Sequence, residues 1–116
     1  MKKNNLVNQT AIVCGASKGI GAATAIELSK CGASTILLAR NKKDLNQIIG
    51  QLDTNQKQTH SFIIADFQNP VSLKKEITSF LNTYSKPIEI LINNTGGPKP
   101  GTAMNVSPED FINAFN

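Results

Sequence analysis

The sequence predicts an α/β protein built on a doubly wound parallel sheet, and two features of the chain support this class. Short apolar runs alternate with segments in which apolar residues recur at helical spacing. Such alternation is typical of a parallel sheet that is covered by helices on both faces. A glycine-rich turn also follows the first apolar run directly. We therefore expect a single domain over residues 1–116, in which the first four strands take the order 3-2-1-4.

The first predicted unit is a strand at 10–14 followed by a helix from Ile20 to Lys30. The run TAIVC is apolar and ends at a glycine, which suits a strand that is buried on both faces. The apolar residues of the helix recur at helical spacing and are Ile20, Ala23, Ile26 and Leu28. Gly32 supplies the signal that ends this helix.

The second and third units repeat this pattern. Strand 34–39 (STILLA) precedes a helix from Asp44 to about Gln56, and strand 60–66 (HSFIIAD) precedes a helix that opens at Pro70. Proline suits the first helical position because the N–H that it lacks has no helical partner there. The apolar side of the second helix consists of Leu45, Ile48, Ile49 and Leu52. The inner side of the third consists of Val71, Leu73, Ile77, Phe80 and Leu81.

A fourth strand and a loop complete the predicted order. Pro87 ends the third unit, and the apolar run IEILIN predicts a strand at 88–93. The loop TGGPKPG follows, and Ser107 and Pro108 have the character of the N-cap and first turn of one more helix.

The composition indicates a globular protein and argues against several functional classes. The net charge is +4, but the lysines are scattered and form no run long enough for a nucleic-acid arm. Cys14 and Cys31 form no CxxC pair and His60 is the only histidine, so we predict neither a disulfide framework nor a metal site. No apolar stretch approaches the roughly 18 residues of a membrane span. We expect a cytoplasmic protein with neither nucleic-acid nor membrane partners.

The turn between the first strand and the first helix predicts a nucleotide-binding site. It reads GASKGIG at 15–21, and glycines at such a turn allow the backbone to approach a pyrophosphate. The helix N-terminus adds free N–H groups and partial positive charge. The turn is not a Walker A loop, because Lys18 precedes its glycine and no GK[ST] follows. A plain glycine-rich surface turn is the alternative interpretation.

Three motifs, in the expected order, resemble those of the short-chain dehydrogenase/reductase family. The segment CGASKGIG is similar to the family's TGxxxGIG motif, and the segment NNTG at 93–96 is similar to its NNAG motif. Asp66 matches the acidic residue that contacts the adenine ring. Cys14 replaces the usual Thr and Thr95 the common Ala, and the run NNTGGPKPG most resembles 3-oxoacyl-[acyl-carrier-protein] reductase-like members.

The resemblance implies a Rossmann fold that binds a nicotinamide cofactor. The cofactor contacts that it implies are Gly15, Ser17, Lys18, Gly19, Ile20, Gly21, Arg40, Asn41, Asp66, Phe67, Asn94, Thr95 and Gly96. Asp66 has an alternative role as a plain N-terminal helix cap before Pro70. The asparagines after the fourth strand also suit a turn that ends a strand.

The end of the second strand favours NADP(H) over NAD(H). An NAD site usually has an Asp or Glu there, about twenty residues past the glycine turn, to hold the ribose 2′-OH. This chain has Ala39 followed by Arg40, and a guanidinium can hold a 2′-phosphate through two hydrogen bonds. In similar NADP-dependent enzymes, a cation at the position of Lys18 lies close to the same phosphate. The alternative is that Lys18 and Arg40 are ordinary solvated charges.

The family's catalytic residues have no counterpart in the sequence. Family members use a Ser and a YxxxK pair, but the only tyrosine is Tyr84, which is followed four residues later by Ile88. Ser17 and Ser107 have no base nearby. We therefore expect no catalytic residue, an inactive chain by itself, and a piece of a longer protein. A sheet that ended at the fourth strand would leave an apolar edge exposed.

Two functional hypotheses follow. The first is the cofactor-binding half of an NADP(H)-dependent oxidoreductase that transfers hydride to or from a carbonyl or alcohol substrate. The resemblance implies a homo-oligomer, a dimer or tetramer, for the complete enzyme. The second is a non-catalytic module for NADP(H) binding or dimerisation. The sequence identifies neither the substrate nor the direction of the reaction.

Overall fold

A computed structural model describes residues 5–93 as a parallel sheet of four strands with three helices. The strands are β1 (Thr10–Cys14), β2 (Ser34–Ala39), β3 (His60–Ile64) and β4 (Ile90–Asn93). The helices are α1 (Gly19–Lys30), α2 (Lys42–Ile49) and α3 (Pro70–Thr83). The strand order is β3-β2-β1-β4, and every pair is parallel. The predicted class and strand order are therefore confirmed.

The sheet separates two apolar clusters, one on each face. On one face, Val13 and Leu37 pack with α1 and α2, from which Ala25 and Leu45 are fully buried. On the other face, Ile12 and Ile36 pack with α3, which contributes Leu73, Ile77, Phe80 and Leu81. The central strands β1 and β2 are buried at every residue. Burial on both faces explains why these two strands are continuous apolar runs.

The ends of several elements differ from the prediction. Helix α2 begins at Lys42 rather than Asp44, because the Asn41 side chain accepts a hydrogen bond from the Asp44 N–H and starts the helix earlier. It ends at Ile49 rather than near Gln56. Gly50 is its C-cap, and the chain continues in tight turns in which the Leu52 N–H bonds to the Ile49 carbonyl.

The two outer strands are shorter than predicted. Strand β3 ends at Ile64 because its partner β2 ends at Ala39, opposite Ile64 in the register. Strand β4 begins at Ile90 rather than 88, since its pairing with β1 starts opposite Ala11. Ile88 is nevertheless buried in the apolar cluster beneath α3.

Three apolar residues are exposed, although the prediction placed them on the apolar side of their helices. Ile20 of α1 is 74% exposed, Val71 of α3 is 82% exposed, and Ala23 of α1 is exposed too. Helix α1 instead buries small residues, Gly21, Ala22 and Ala25, together with Leu28 and Ser29. Small side chains allow α1 to lie close to the sheet. The inner face of this helix therefore lacks the bulky apolar residues whose spacing is used to predict a buried helix face.

Two further predictions lie outside the described residues: the loop TGGPKPG and the helix expected from Ser107. Within residues 5–93, none of the helices combines the length and the apolar character needed to cross a membrane.

Candidate functional site

The carboxyl ends of the strands bring three parts of the predicted site to one edge of the sheet. Cys14 lies opposite Leu38 of β2 and opposite Asn93 of β4. The glycine turn, the Ala39–Arg40 segment and the end of β4 therefore begin side by side. In doubly wound sheets, ligands bind at this edge, in the crevice where the strand order reverses. Here the order reverses around β1.

The glycine turn adopts a conformation that depends on its glycines. Gly15 has φ 69° and Gly19 has φ 58°, values that residues with a side chain rarely adopt. The Gly15 N–H donates to the Leu38 carbonyl at 2.8 Å, which ties the turn to β2. A Cβ at Gly21 would collide with the Gly15 carbonyl oxygen and lie 2.8 Å from its carbon. The start of α1 therefore packs directly on the turn.

The N-terminus of α1 has the features of an anion-binding site. Lys18 occupies the N-cap position in an extended conformation, and within the described part of the chain no side chain caps the helix there. The first N–H groups of a helix have no helical partner and carry partial positive charge. A Cβ at Gly19 would meet none of the described residues within 4 Å, so this part of the chain leaves the space beside the turn open. Such a turn can accommodate a phosphate group.

The turn after β2 places cations beside the glycine turn. Arg40 and Asn41 are exposed, and the exposed Lys42 and Lys43 form the first turn of α2. The Lys18 ammonium lies 3.9 Å from the Asp44 carboxylate, so Lys18 reaches from one turn to the start of the next helix. Sequence reasoning missed Asp44. The only local pattern that points to Asp44 is its position three residues after Asn41, the N-cap of α2.

Asp66 stabilises its own turn rather than capping α3. Its Oδ1 accepts from the Gln68 N–H at 2.9 Å, and its carbonyl accepts from the Asn69 N–H. The N-cap of α3 is Asn69, whose side chain accepts from the Ser72 N–H. The alternative interpretation of Asp66 as a plain helix cap is therefore wrong. Phe67 packs partly buried against the apolar cluster beneath α3.

The remaining predicted site residues divide into three groups. Ser17 is half-buried in the glycine turn and Ile20 is exposed beside it. Asn94, Thr95 and Gly96 lie outside the described residues. Cys14, the departure from the family's usual Thr, is fully buried, and burial raises the pKa of its thiol far above the ordinary range. The thiol therefore remains protonated and unreactive.

Tyr84 and His60 lie at the opposite, amino end of the sheet. The Tyr84 hydroxyl hydrogen-bonds to the Thr10 Oγ1 at 3.1 Å, and its ring stacks on Phe80. Tyr84 is therefore structural, as predicted. The His60 ring bonds to the Thr35 hydroxyl and to the Asp53 carbonyl, both at 2.8 Å. Between residues 5 and 93, no group of three or more His, Cys, Asp or Glu side chains is arranged to hold a metal ion.

Comparisons with known proteins identify similar chains and structures. The family model described as short chain dehydrogenase matches residues 9–116. The chain is similar to an NADPH-dependent pterin aldehyde reductase of Arabidopsis thaliana, with 30% identity over 109 residues that cover 93% of this chain and 44% of that protein. The chain spans less than half the length of the curated relatives that it matches.

Solved structures share the fold. A citronellol catabolism dehydrogenase of Pseudomonas aeruginosa matches with a TM-score of 0.71 and 28% identity, over 84% of this chain and 40% of that one. An alcohol dehydrogenase of the archaeon Thermococcus sibiricus, solved with 5-hydroxy-NADP, matches with a TM-score of 0.63 and 25% identity. That match covers 72% of this chain and 35% of the other.

Proposed function

The chain belongs to the short-chain dehydrogenase family, and we propose that the carboxyl edge of its sheet binds NADP(H) for an oxidoreductase reaction. In that reaction, hydride passes between the nicotinamide and a carbonyl or alcohol substrate. The bound cofactor supplies the hydride chemistry, and this part of the chain holds and orients it.

The observation that carries the proposal is the uncapped start of α1 above the glycine turn. Both other helices have a side-chain cap, from Asn41 and Asn69, but α1 has none from the described residues. Its free N–H groups and the open space at Gly19 suit the pyrophosphate of a dinucleotide. A Cβ at Gly21 would collide with the Gly15 carbonyl, which explains why the third glycine of the turn is needed as well.

The charges beside the turn support NADP(H) over NAD(H). Position 39 holds a buried alanine rather than the carboxylate that binds a ribose 2′-OH. Arg40 is exposed directly after it, and the Lys18 ammonium lies near the start of the next helix, 3.9 Å from the Asp44 carboxylate. These two cations are the proposed partners of the 2′-phosphate. The NADPH dependence of the similar pterin aldehyde reductase is consistent with this choice.

The adenosine and ribose contacts complete the proposed cofactor site. Asp66 and Phe67 follow β3 at the same edge of the sheet and are assigned to the adenine ring. Asn41 lies beside Arg40 at the start of α2, and Ser17 and Ile20 flank the glycines. Asn94, Thr95 and Gly96 are assigned to the floor beneath the ribose by their resemblance to the family motif.

The experiment that tests the cofactor proposal is a direct binding titration with NADPH and NADH. Arg40→Ala is expected to weaken NADPH binding by about ten- to a hundredfold, because one charge-assisted hydrogen bond contributes about 1.5–3 kcal/mol. NADH lacks the 2′-phosphate, so its dissociation constant should change little. Lys86→Ala is the control, since Lys86 is an exposed cation at the amino end of the sheet. Equal losses for both cofactors in Arg40→Ala, or no preference in the parent protein, would contradict the assignment.

The reaction itself is tested on the complete enzyme rather than on this chain alone, which is expected to be inactive, with both reduced and oxidised cofactor. Cofactor-dependent reduction of a carbonyl compound or oxidation of an alcohol supports the oxidoreductase. Saturable NADPH binding without turnover of any carbonyl or alcohol in a broad panel would instead support a non-catalytic NADP(H)-binding or dimerisation module.

The cellular setting and assembly belong to the same proposal. Cys14 and Cys31 are both buried free thiols, which suits the reducing conditions of the cytoplasm. The family resemblance suggests that the complete enzyme is a dimer or tetramer. Size-exclusion chromatography with light scattering tests the assembly, and a monomer would contradict it.

A further inference from the structure

Among residues 5–93, one ion pair joins two of the connections that the proposed cofactor site uses. The Lys18 Nζ lies 3.9 Å from the Asp44 Oδ2. The Lys18 side chain is 82% exposed and the Asp44 side chain 24% exposed. Lys18 precedes α1 and Asp44 is in the first turn of α2, so the pair spans the gap between the two strand-to-helix connections.

Of the two partners, the carboxylate is the more buried one. Asp44 is the third residue of α2, and its N–H donates to the Asn41 side chain at 3.1 Å. An acidic side chain is favoured there because the N-terminus of a helix carries partial positive charge. Lysine has a long, flexible stem, and Lys18 is mostly exposed. The pair therefore consists of an exposed, flexible ammonium beside a carboxylate that is mostly buried at the start of a helix.

Asp44 is the acidic residue among a group of cations at this corner. Arg40, Lys42 and Lys43 are exposed within the same turn and helix start. Only two ion pairs occur within residues 5–93, Lys18–Asp44 and Lys30–Glu27, so Arg40 takes part in neither. The Asp44 carboxylate thus neutralises one of the two cations assigned to the 2′-phosphate.

We propose that Asp44 is a specificity-determining residue, whose carboxylate competes with the cofactor's 2′-phosphate for the Lys18 ammonium. This inference rests on the proposed NADP(H) function and deepens it. In the ligand-free protein the carboxylate stands in for the phosphate. A 2′-phosphorylated dinucleotide must draw Lys18 away from Asp44, whereas an unphosphorylated one leaves the pair intact. The preference for NADPH over NADH is consequently smaller than it would be if Arg40 and Lys18 were present without Asp44.

The size of the effect follows from the exposure of the pair. Exposed ion pairs contribute little, and their usual range corresponds to about a two- to fivefold change in an equilibrium constant. The effect should also decrease as salt is added, because the Debye length falls to about 3 Å at 1 M ionic strength.

The test measures dissociation constants for NADPH and NADH at low salt in four forms of the protein. These are the parent, Asp44→Asn, Lys18→Gln and the double variant. Asparagine retains the shape of aspartate, and the N–H that bonds to Asn41 belongs to the backbone and is kept. We expect Asp44→Asn to tighten NADPH binding by about two- to fivefold and to leave NADH unchanged. In the Lys18→Gln background the same substitution should have no effect on NADPH.

Glu27→Gln is the matched control. It removes the same charge from the other ion pair, in which the Glu27 and Lys30 groups lie 4.0 Å apart on α1. The ratio of NADPH to NADH affinity should not change in this variant. A general change of net charge would alter both variants alike, so equal effects in Asp44→Asn and Glu27→Gln would overturn the inference.

The remaining outcomes separate this inference from the function on which it rests. The role of Asp44 is overturned if Asp44→Asn binds NADPH more weakly, or if the tightening persists in the variant that lacks Lys18. In either case, NADPH binding by the parent protein still supports the proposed function. Failure of the parent to bind either dinucleotide overturns the proposed function, and the inference with it. Thermal unfolding of each variant confirms that the binding changes are not losses of folded protein.

Discussion

The turns after β1 and after β3 make the same connection in different ways. Each leads from the carboxyl end of a parallel strand into a helix at the same edge of the sheet. The turn after β3 provides its own hydrogen-bond acceptors, because Asp66 accepts from Gln68 and Asn69 accepts from Ser72. The turn after β1 has glycines and a lysine N-cap without a side-chain cap from the described residues.

The two helix starts therefore differ in whether a side chain satisfies their first N–H groups: Asn69 does so at α3, whereas the start of α1 is left open, as the proposed phosphate site requires. Unpaired N–H groups at a helix start reduce stability unless water or a ligand satisfies them. This loss of stability applies at the start of α1, beside the open space at Gly19, but not at α3, where Asn69 caps the helix. Substitutions at the two turns should therefore separate binding from stability.

The largest effect is expected from Gly21→Ala. The added Cβ would collide with the Gly15 carbonyl, and that contact is backbone against backbone, so a side-chain rotation cannot relieve it. We expect the free energy of unfolding to fall by about 1–3 kcal/mol, together with the loss of NADPH and NADH binding. Urea unfolding and cofactor titration measure the two effects.

Gly50→Ala is the control for that substitution. Gly50 has φ −65° and ψ −16°, and an added Cβ would lie 3.5 Å from the Gln47 carbonyl oxygen, an ordinary contact. Alanine should raise the free energy of unfolding there by about 0.4–1 kcal/mol and leave binding unchanged. If Gly21→Ala proved as harmless as Gly50→Ala, the close packing of α1 on the glycine turn would be wrong.

A second substitution, Gly19→Asn, affects binding with little effect on the fold. Asparagine tolerates positive φ better than most residues, and Asn8 of this chain already has φ 69°. The new side chain would occupy the open space beside α1 and obstruct a pyrophosphate. We expect both dinucleotides to bind about ten- to a hundredfold more weakly, because both carry the pyrophosphate whose hydrogen bonds would be lost. Weakening of NADPH alone would place the pyrophosphate elsewhere.

The sequence predicts the sheet well where strands are buried on both faces. The limits of β1 and β2 agree with the prediction to the residue, because continuous apolar runs mark them. The outer strands depend on their partners' register, which the sequence does not contain, and β3 and β4 were predicted too long. The inner face of α1 was misassigned since it is built from small residues, and Ile20 lies outside it.

The site could be predicted in part for a similar reason. The conformation of the glycine turn is indicated by its residues, because positive φ and close packing are local requirements, while the phosphate site itself stays a prediction. The ion pair of Lys18 with Asp44 depends on two connections that are distant in sequence. Only the parallel pairing of β1 with β2 brings those connections together. No local pattern identifies such a pair.

The smallest expected effect, and one on stability alone, comes from Asn69→Ala at the turn after β3. Loss of the cap on the Ser72 N–H should lower the free energy of unfolding by about 1 kcal/mol. Asn82→Ala, an exposed position near the end of α3, is the control and should be neutral or slightly stabilising. NADPH affinity should be the same in both variants. A loss of affinity in Asn69→Ala would mean that the cap of α3 also supports the adenine contacts assigned to Asp66 and Phe67, and the separation of the two helix starts would fail.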